Sequence, residues 1–245
     1  MPDGGQLVKP VNAQLVFSSS SVQNHPIGCK AWDVFGREFK YARAGATALV
    51  AGNAQQGQAQ IAHHQDMAPT ATAVGESAIT VTPGATAGAA DLYAGGVAVI
   101  DTTPGEGYSY PIKTHLAIAS ATAFVVRLQT GWTIQVALTT SSRVSLYPSP
   151  YRNTVNFPTT ATGPLCGVAM YPTAIAEYGW LGVNGLFGTQ IDGTPAVGTS
   201  VGCPSTAAGA VGVVAGTDAA VPQAIAGSIA DTGQDGKWEG VNWTL

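Results

Sequence analysis

Arg37-Glu38-Phe39-Lys40-Tyr41 sets charged side chains and aromatic rings in alternation from Glu38 onward. Successive side chains of a strand point to opposite faces, so period two places Phe39 and Tyr41 on one face and Glu38 and Lys40 on the other. The stretch predicts a half-buried strand with Phe39 and Tyr41 inward. Ala78-Ile79-Thr80-Val81-Thr82 repeats the pattern with β-branched residues. Val97–Ile100 follows the turn signal Gly95-Gly96, and Tyr108–Ile112 follows Pro104-Gly105-Glu106-Gly107. With Phe124–Leu128, Thr133–Leu138 and Val144–Tyr147 these make six predicted strands between 70 and 150. Spacings of about ten to fifteen residues with turns between them suit a small sandwich or barrel.

The pattern extends outward from that block. Thr47–Val50 predicts a second short strand after β-forming 37–41, and the Gln/Ala-rich stretch 53–67 leaves helix and loop open. Gly167–Tyr171, Tyr178–Val183, Ala196–Val201 and Ala224–Ile229 are further predicted strands. Val241, Trp243 and Leu245 share one face at period two, which predicts a terminal strand tucked into a sheet. Residues 1–30 read as an N-terminal arm, interrupted by Ser18–Ser21 and Pro26. The expected organisation is therefore all-β: a short-stranded, jelly-roll-like sandwich or barrel from 31–69 and 151–245, a β-rich inserted block at 70–150, and the arm.

Composition agrees with strands and disfavours solvated helices. Only 10% of the 245 residues are charged, against about a quarter in an ordinary soluble domain. The net charge of −4 with ten scattered Lys and Arg provides no basic footprint, so no nucleic-acid partner is expected. No apolar run reaches the roughly 18 residues of a membrane span, and the N-terminus carries no basic and apolar leader regions, so neither a membrane nor a secretory signal is expected. Three cysteines, Cys29, Cys166 and Cys203, contain no C-x-x-C pair and predict reduced, buried thiols.

Each motif that suggests chemistry is outweighed by a simpler reading. Gly198-Thr199-Ser200-Val201-Gly202 fits the G-x-S-x-G nucleophile elbow, which requires strand, turn and helix around the serine and a later histidine. The last histidine is His115, so a turn or strand end is expected at Ser200. His63-His64 with Asp66 reads as exposed polar side chains, because adjacent residues diverge on either a strand or a helix. Asp231–Gly236 lacks the alternating acids and terminal Glu of a calcium loop and reads as a turn. Asp101 and Glu106 read as turn acids, and Asn242-Trp243-Thr244 as a sequon without expected use. No catalytic residue, metal ligand or cofactor site is expected. Tyr178, Trp180 and Phe187 lie in a Gly-rich, charge-poor stretch and are candidates for the core or, as the second choice, an oligomer interface.

Gly36–Gly45 followed by Thr47-Ala48-Leu49 resembles the opening of a family of phage virion proteins. Gly167-Val168-Ala169 with Glu177-Tyr178-Gly179-Trp180, a Gly-rich stretch and a short terminal strand at Trp238–Leu245 is similar to the same group. The middle block, with Ala78–Thr82, Tyr93-Ala94-Gly95-Gly96 and Val144–Pro148, resembles its insert. The likeness covers roughly 36–245, and 1–30 has no counterpart in it. It implies a capsid decoration (cement) protein of a tailed phage, made in the host cytoplasm and resident in the virion. The implied partners are the major capsid protein and further copies of the chain, as a small closed oligomer such as a trimer. Leu15, Val16 and Phe17 are the candidate capsid contacts. The alternative expectation is a tail or fibre component that binds host glycans.

Overall fold

The computed structural model describes residues 15–203, 206–213, 224–228 (backbone only) and 233–245. Strands run in chain order as β1 (Lys30–Trp32), β2 (Glu38–Arg43) and β3 (Ala54–Gln56), then β4 (Ala78–Val81), β5 (Val97–Thr102), β6 (Ser109–His115), β7 (Phe124–Leu128) and β8 (Arg143–Tyr147). They continue as β9 (Val155–Asn156), β10 (Leu165–Ala169), β11 (Tyr178–Gln190), β12 (Ser200–Gly202), β13 (Gly212–Val213), β14 (Ala224–Ser228) and β15 (Trp238–Thr244). Among the described residues every paired strand is antiparallel, and helix is confined to two single 3₁₀ turns, Leu15–Phe17 and Ala62–His64. The protein is all-β. The chain divides into two compact units, one spanning Gln60–Ser149 and one built from the segments on either side of it.

The unit at 60–149 carries one five-stranded sheet in the order β4-β7-β6-β5-β8. Its two edges are joined by one short segment. Met67 exchanges both backbone hydrogen bonds with Val144 of β8 at 2.9 Å, and Thr70 N–H donates to Thr80 O of β4 at 2.9 Å. The segment thereby covers part of both sheet edges through isolated bridges at Val144 of β8 and Val81 of β4. Alternation decides what fills the interior. Ile79 and Val81, Ala98 and Ile100, Tyr110 and Ile112, Val126 and Leu128, Val144 and Leu146 are all buried in one cluster. Thr133–Leu138 is not a strand. Ile134 and Leu138 are buried, but each is tied by single backbone links, to Glu76 and Gly75 and to Thr72 respectively, without a ladder.

The other unit is organised by β11, which is much longer than the six residues its sequence predicts. It pairs β2 over Tyr178–Asn184 and β15 over Asn184–Gln190, and the register shifts between Gly182 and Asn184. The sheet order is β1-β2-β11-β10-β3-β9, and a second sheet runs β13-β12-β14. Both faces of the larger sheet are covered. Phe39, Tyr41, Val168, Trp180 and Trp243 enter one core cluster. Their neighbours Ala42, Ala169 and Leu181 point into a second.

Several expectations change here. Thr47–Val50 contributes a single bridge, Leu49 to Thr173, instead of a strand. The stretch 53–67 holds β3 and a 3₁₀ turn, so neither alternative considered for it describes it fully. Residues 15–30 are not a separate arm: Val16 is fully buried, Ser20 and Tyr178 exchange backbone hydrogen bonds, and β1 begins at Lys30. Residues 1–14 lie outside the described residues. Val241 and Trp243 are fully buried, whereas Leu245 is 50% exposed because β15 ends at Thr244.

Candidate interaction face

Between β1 and β2 the chain reverses at Asp33-Val34-Phe35-Gly36-Arg37. Asp33 holds the turn from inside. Its carboxylate accepts the backbone N–H of Phe35 at 2.9 Å and of Arg37 at 3.0 Å, and the Arg37 side chain through Nε at 2.7 Å. Gly36 supplies the positive φ of +77° that closes the turn. Burial pushes the Asp33 carboxyl upward, but the Arg37 side chain and the two backbone N–H groups outweigh it and hold it below the ordinary carboxylate range.

The consequence is unusual for a loop. Turn tips are commonly polar, yet this one lifts Val34 and Phe35 into solvent at 86% and 80% exposure. Phe35, Gly36 and Arg37 with Gly185, Leu186 and Asn242 line a groove of about 560 Å³. Arg37 and Leu186 also border a second groove of about 300 Å³, shared with Phe17, Gly52, Phe187 and Trp238. The two grooves therefore form one surface. Trp238 lies against Gly52, where a Cβ would come within 2.3 Å of the indole, and its Nε1 donates to Ala51 O at 3.3 Å.

Phe17, Phe35 and Trp238 are 47%, 80% and 54% exposed. At 150–250 Å² per aromatic side chain they place on the order of 350 Å² of ring surface in water. Exposed apolar surface of that extent, spread over two neighbouring grooves, is comparable to the largest apolar patch of a typical folded monomer, which is often functional. Arg37 does not make it cationic. Its guanidinium is neutralised by Asp33 and lies 5.6 Å from the Phe187 ring and 5.7 Å from the Phe39 ring.

The sequence candidates fall into different places. Phe17 lies on this face, and Leu15 lines a separate small pocket with Tyr178, Trp180, His25 and Tyr41. Val16 belongs to the core and is the anchor between those two exposed neighbours. Trp180 and Phe187 are 5% and 3% exposed, so they pack the core, and only the half-buried Tyr178 keeps surface for a partner. Val34, Phe35, Arg37, Leu186 and Trp238 escaped the sequence reading. The detectable signal was Asp33 and Gly36 bracketing two apolar residues at a turn centre.

The remaining motifs take ordinary positions. Ser200 opens β12, which lies between two strands, and among the described residues no strand–turn–helix elbow surrounds it. His63 is exposed as expected, but His64 is fully buried, its ring bonded to the Tyr93 hydroxyl and Thr86 O. Asp101 accepts the Ser145 hydroxyl, and Asp235 accepts Gly193 N–H at 3.0 Å, while Asp231 and Thr232 lie outside the described residues. The three cysteines are free thiols. Among the described residues no three His, Cys, Asp or Glu side chains gather as a metal site, and no helix is long and apolar enough to cross a membrane. Comparison with protein-family models, curated proteins and solved structures found no match.

Proposed function

We propose that this chain is a non-enzymatic structural protein of a tailed-phage virion, a capsid decoration protein that binds the outside of the major capsid shell and stabilises it. The observation that supports this reading best is the apolar face built on the 33–37 turn. A buried carboxylate is used there to hold two hydrophobic side chains away from the protein's own core, with Phe35 sharing a groove with Leu186, which also borders the groove of Phe17 and Trp238. Such exposure is unfavourable in isolation and becomes favourable when a partner covers it. The motif resemblance supplies the kind of partner, and the all-antiparallel, charge-poor scaffold is compatible with close packing on a shell. Small contacts of this size suffice when several copies or several sites engage together, because linked contacts raise one another's effective concentration.

The test is co-sedimentation of purified protein with capsids that lack it. Wild-type chain pellets with the capsids and raises their melting temperature, and Val34→Ser with Phe35→Ser loses both effects while keeping its circular dichroism spectrum. Binding to tail tubes or to a glycan array, with none to capsids, replaces this reading by the tail or fibre one, for which the half-exposed ring of Trp238 would be a sugar platform.

A further inference from the structure

β11 changes partners half-way along its length, and the exchange leaves part of one edge without a neighbour. In a regular antiparallel strand the N–H and C=O of one residue point to one side, and those of the next residue to the other. Contacts at the two ends of the second half fix which residues point where. Val183 O accepts Leu245 N–H at 3.1 Å, and Ile191 N–H donates to Lys237 O at 2.8 Å, so both point toward β15 or the chain next to it. Gln190 points the other way: its N–H donates to Gly52 O and its C=O accepts Val211 N–H, each at 2.8 Å. The register of β11 with β15 runs from Asn184 to Gln190 without a shift. Leu186 and Gly188, two and four residues before Gln190, therefore also direct both backbone groups away from β15.

Asn184 pairs Glu38 of β2 and Thr244 of β15 at once, so β2 and β15 lie on opposite edges of β11. β2 follows its edge only as far as Asn184, and at the far end Gly52 takes up Gln190. Between those two points the backbone groups of Leu186 and Gly188 have no hydrogen-bond partner among the described residues, and both residues are exposed. From Asn184 to Gln190 the strand runs about 20 Å at about 3.3 Å per residue.

The open edge lies along the apolar face. The larger groove, with Phe35 and Arg37, reaches it at Gly185 and Leu186, and the smaller groove, with Phe17 and Trp238, reaches it at Leu186 and Gly188. Across the β11–β15 pair Gly188 stands opposite Gly240, with Leu186 opposite Asn242 on one side and Gln190 opposite Trp238 on the other. A Cβ at Gly188 would meet nothing within 4 Å. That leaves space for one large side chain of a flanking strand, between Leu186 and Trp238. Arg37, already paired with Asp33, places no demand for an acidic residue there.

We infer that Leu186–Gly188 is where an extended segment of the partner chain adds as a strand, continuing the line of β2 and seating one large apolar side chain beside Gly188. The inference rests on the proposal that this face binds a partner, and it names the mode of binding. An apolar groove alone would accept a helix as readily as a strand. A helix satisfies its own backbone groups and has none to offer, so covering this edge with one would dehydrate the N–H and C=O of Leu186 and Gly188 without replacing their water. An added strand pairs all four groups and reads side chains at alternate positions.

The probe is the capped pentapeptide Thr-Thr-Leu-Thr-Thr, added to the full chain and followed by amide NMR. In the free chain Leu186 and Gly188 are expected to exchange their amide protons near the intrinsic rate, while Phe187 and Thr189, which face β15, are protected. With peptide at about ten times its Kd, both open amides shift and exchange about tenfold more slowly. The same peptide carrying an N-methyl group on its leucine lacks that donor and loses the effect. Gly188→Pro removes an N–H that no strand of the fold uses, so the circular dichroism spectrum is kept while the peptide no longer shifts Leu186. Should that variant fail to fold, the N-methyl comparison decides. Slow exchange of Leu186 and Gly188 in the free chain, no shift of these amides at about 10 mM peptide, or equal effects of the two peptides overturns the inference. Protection that rises with protein concentration alone assigns the edge to a second copy and overturns the assignment to a different partner. Peptide binding at this edge without capsid binding supports the strand site and removes only the capsid reading. Capsid binding that Gly188→Pro leaves unchanged overturns the strand site and keeps the capsid reading.

Discussion

Trp243 should dominate the stability of the unit outside 60–149. Its side chain is fully buried in the cluster that also holds Phe39, Tyr41, Phe187 and Val241, and its Nε1 donates to Thr189 Oγ1 at 2.9 Å. Truncating a buried aromatic to Ala costs about 3–5 kcal/mol through lost contact and residual cavity. Thr189 is itself fully buried and would keep only a long bond of 3.4 Å to Phe187 O, which adds about 1 kcal/mol. The sum is a large part of a typical margin of about 5–15 kcal/mol. Trp243→Phe keeps most of the ring contact and isolates the hydrogen bond, at about 1–2 kcal/mol. Leu245→Ala, at the exposed end of β15, should cost less than about 0.5 kcal/mol. Urea unfolding followed by tryptophan fluorescence in a Trp132→Phe background reports on this unit, because Trp132 is the one tryptophan of five that lies in 60–149. With an m-value of about 2 kcal/mol/M, Trp243→Ala should lower the midpoint by about 2 M or leave the unit unfolded in buffer. A midpoint within about 0.5 M of wild type would refute the assignment of β15 to the core.

Three further outcomes follow from other contacts. Gly185→Ala should destabilise the same unit by about 1–3 kcal/mol, measured in the same titration, because φ is +115° and a Cβ would meet Arg37 Cγ at 2.8 Å. Burial pushes the Cys203 thiol up to about 12 and Cys166 higher still, so a thiol reagent at pH 8 should modify neither until denaturant is added, and Cys29 should react first. Asp33→Ala removes three hydrogen bonds from the 33–37 turn and should cost about 2–3 kcal/mol in urea titrations at pH 7. Because the folded carboxyl is held below its unfolded value, that loss should be full above about pH 4 and shrink as pH falls further.

Strands with clean alternation were legible in the sequence, because period two sorts side chains without reference to partners. Phe39 and Tyr41, Ile79 and Val81, and Val241 and Trp243 are all buried as the alternation requires. Elements defined by their partners were not legible. β3 is Ala-Gln-Gln, poor in β propensity, and is a strand because β9 and β10 flank it; Gln56 reaches Thr162, and Gln55 reaches Asn156 and Asn53 O. The opposite error arose at Thr133–Leu138, where alternation buries Ile134 and Leu138 but no neighbouring strand completes a ladder. The length of β11 was hidden by Gly185 and Gly188, which follow the predicted strand Tyr178–Val183. These read as turns, whereas the backbone crosses them as a strand that exchanges β2 for β15. The interaction face was missed for a related reason: Arg37, Leu186 and Trp238 are remote in sequence and meet only because β2, β11 and β15 share one sheet.

A reconstruction by electron cryomicroscopy of capsids saturated with the purified chain tests the decoration proposal most directly. The account predicts extra density at local symmetry positions on the outer shell, fitted by this fold with the 33–37 turn, Leu186 and Trp238 against capsid subunits. Capsids without added density at saturating protein, or density in which Val34 and Phe35 point into solvent, would contradict it.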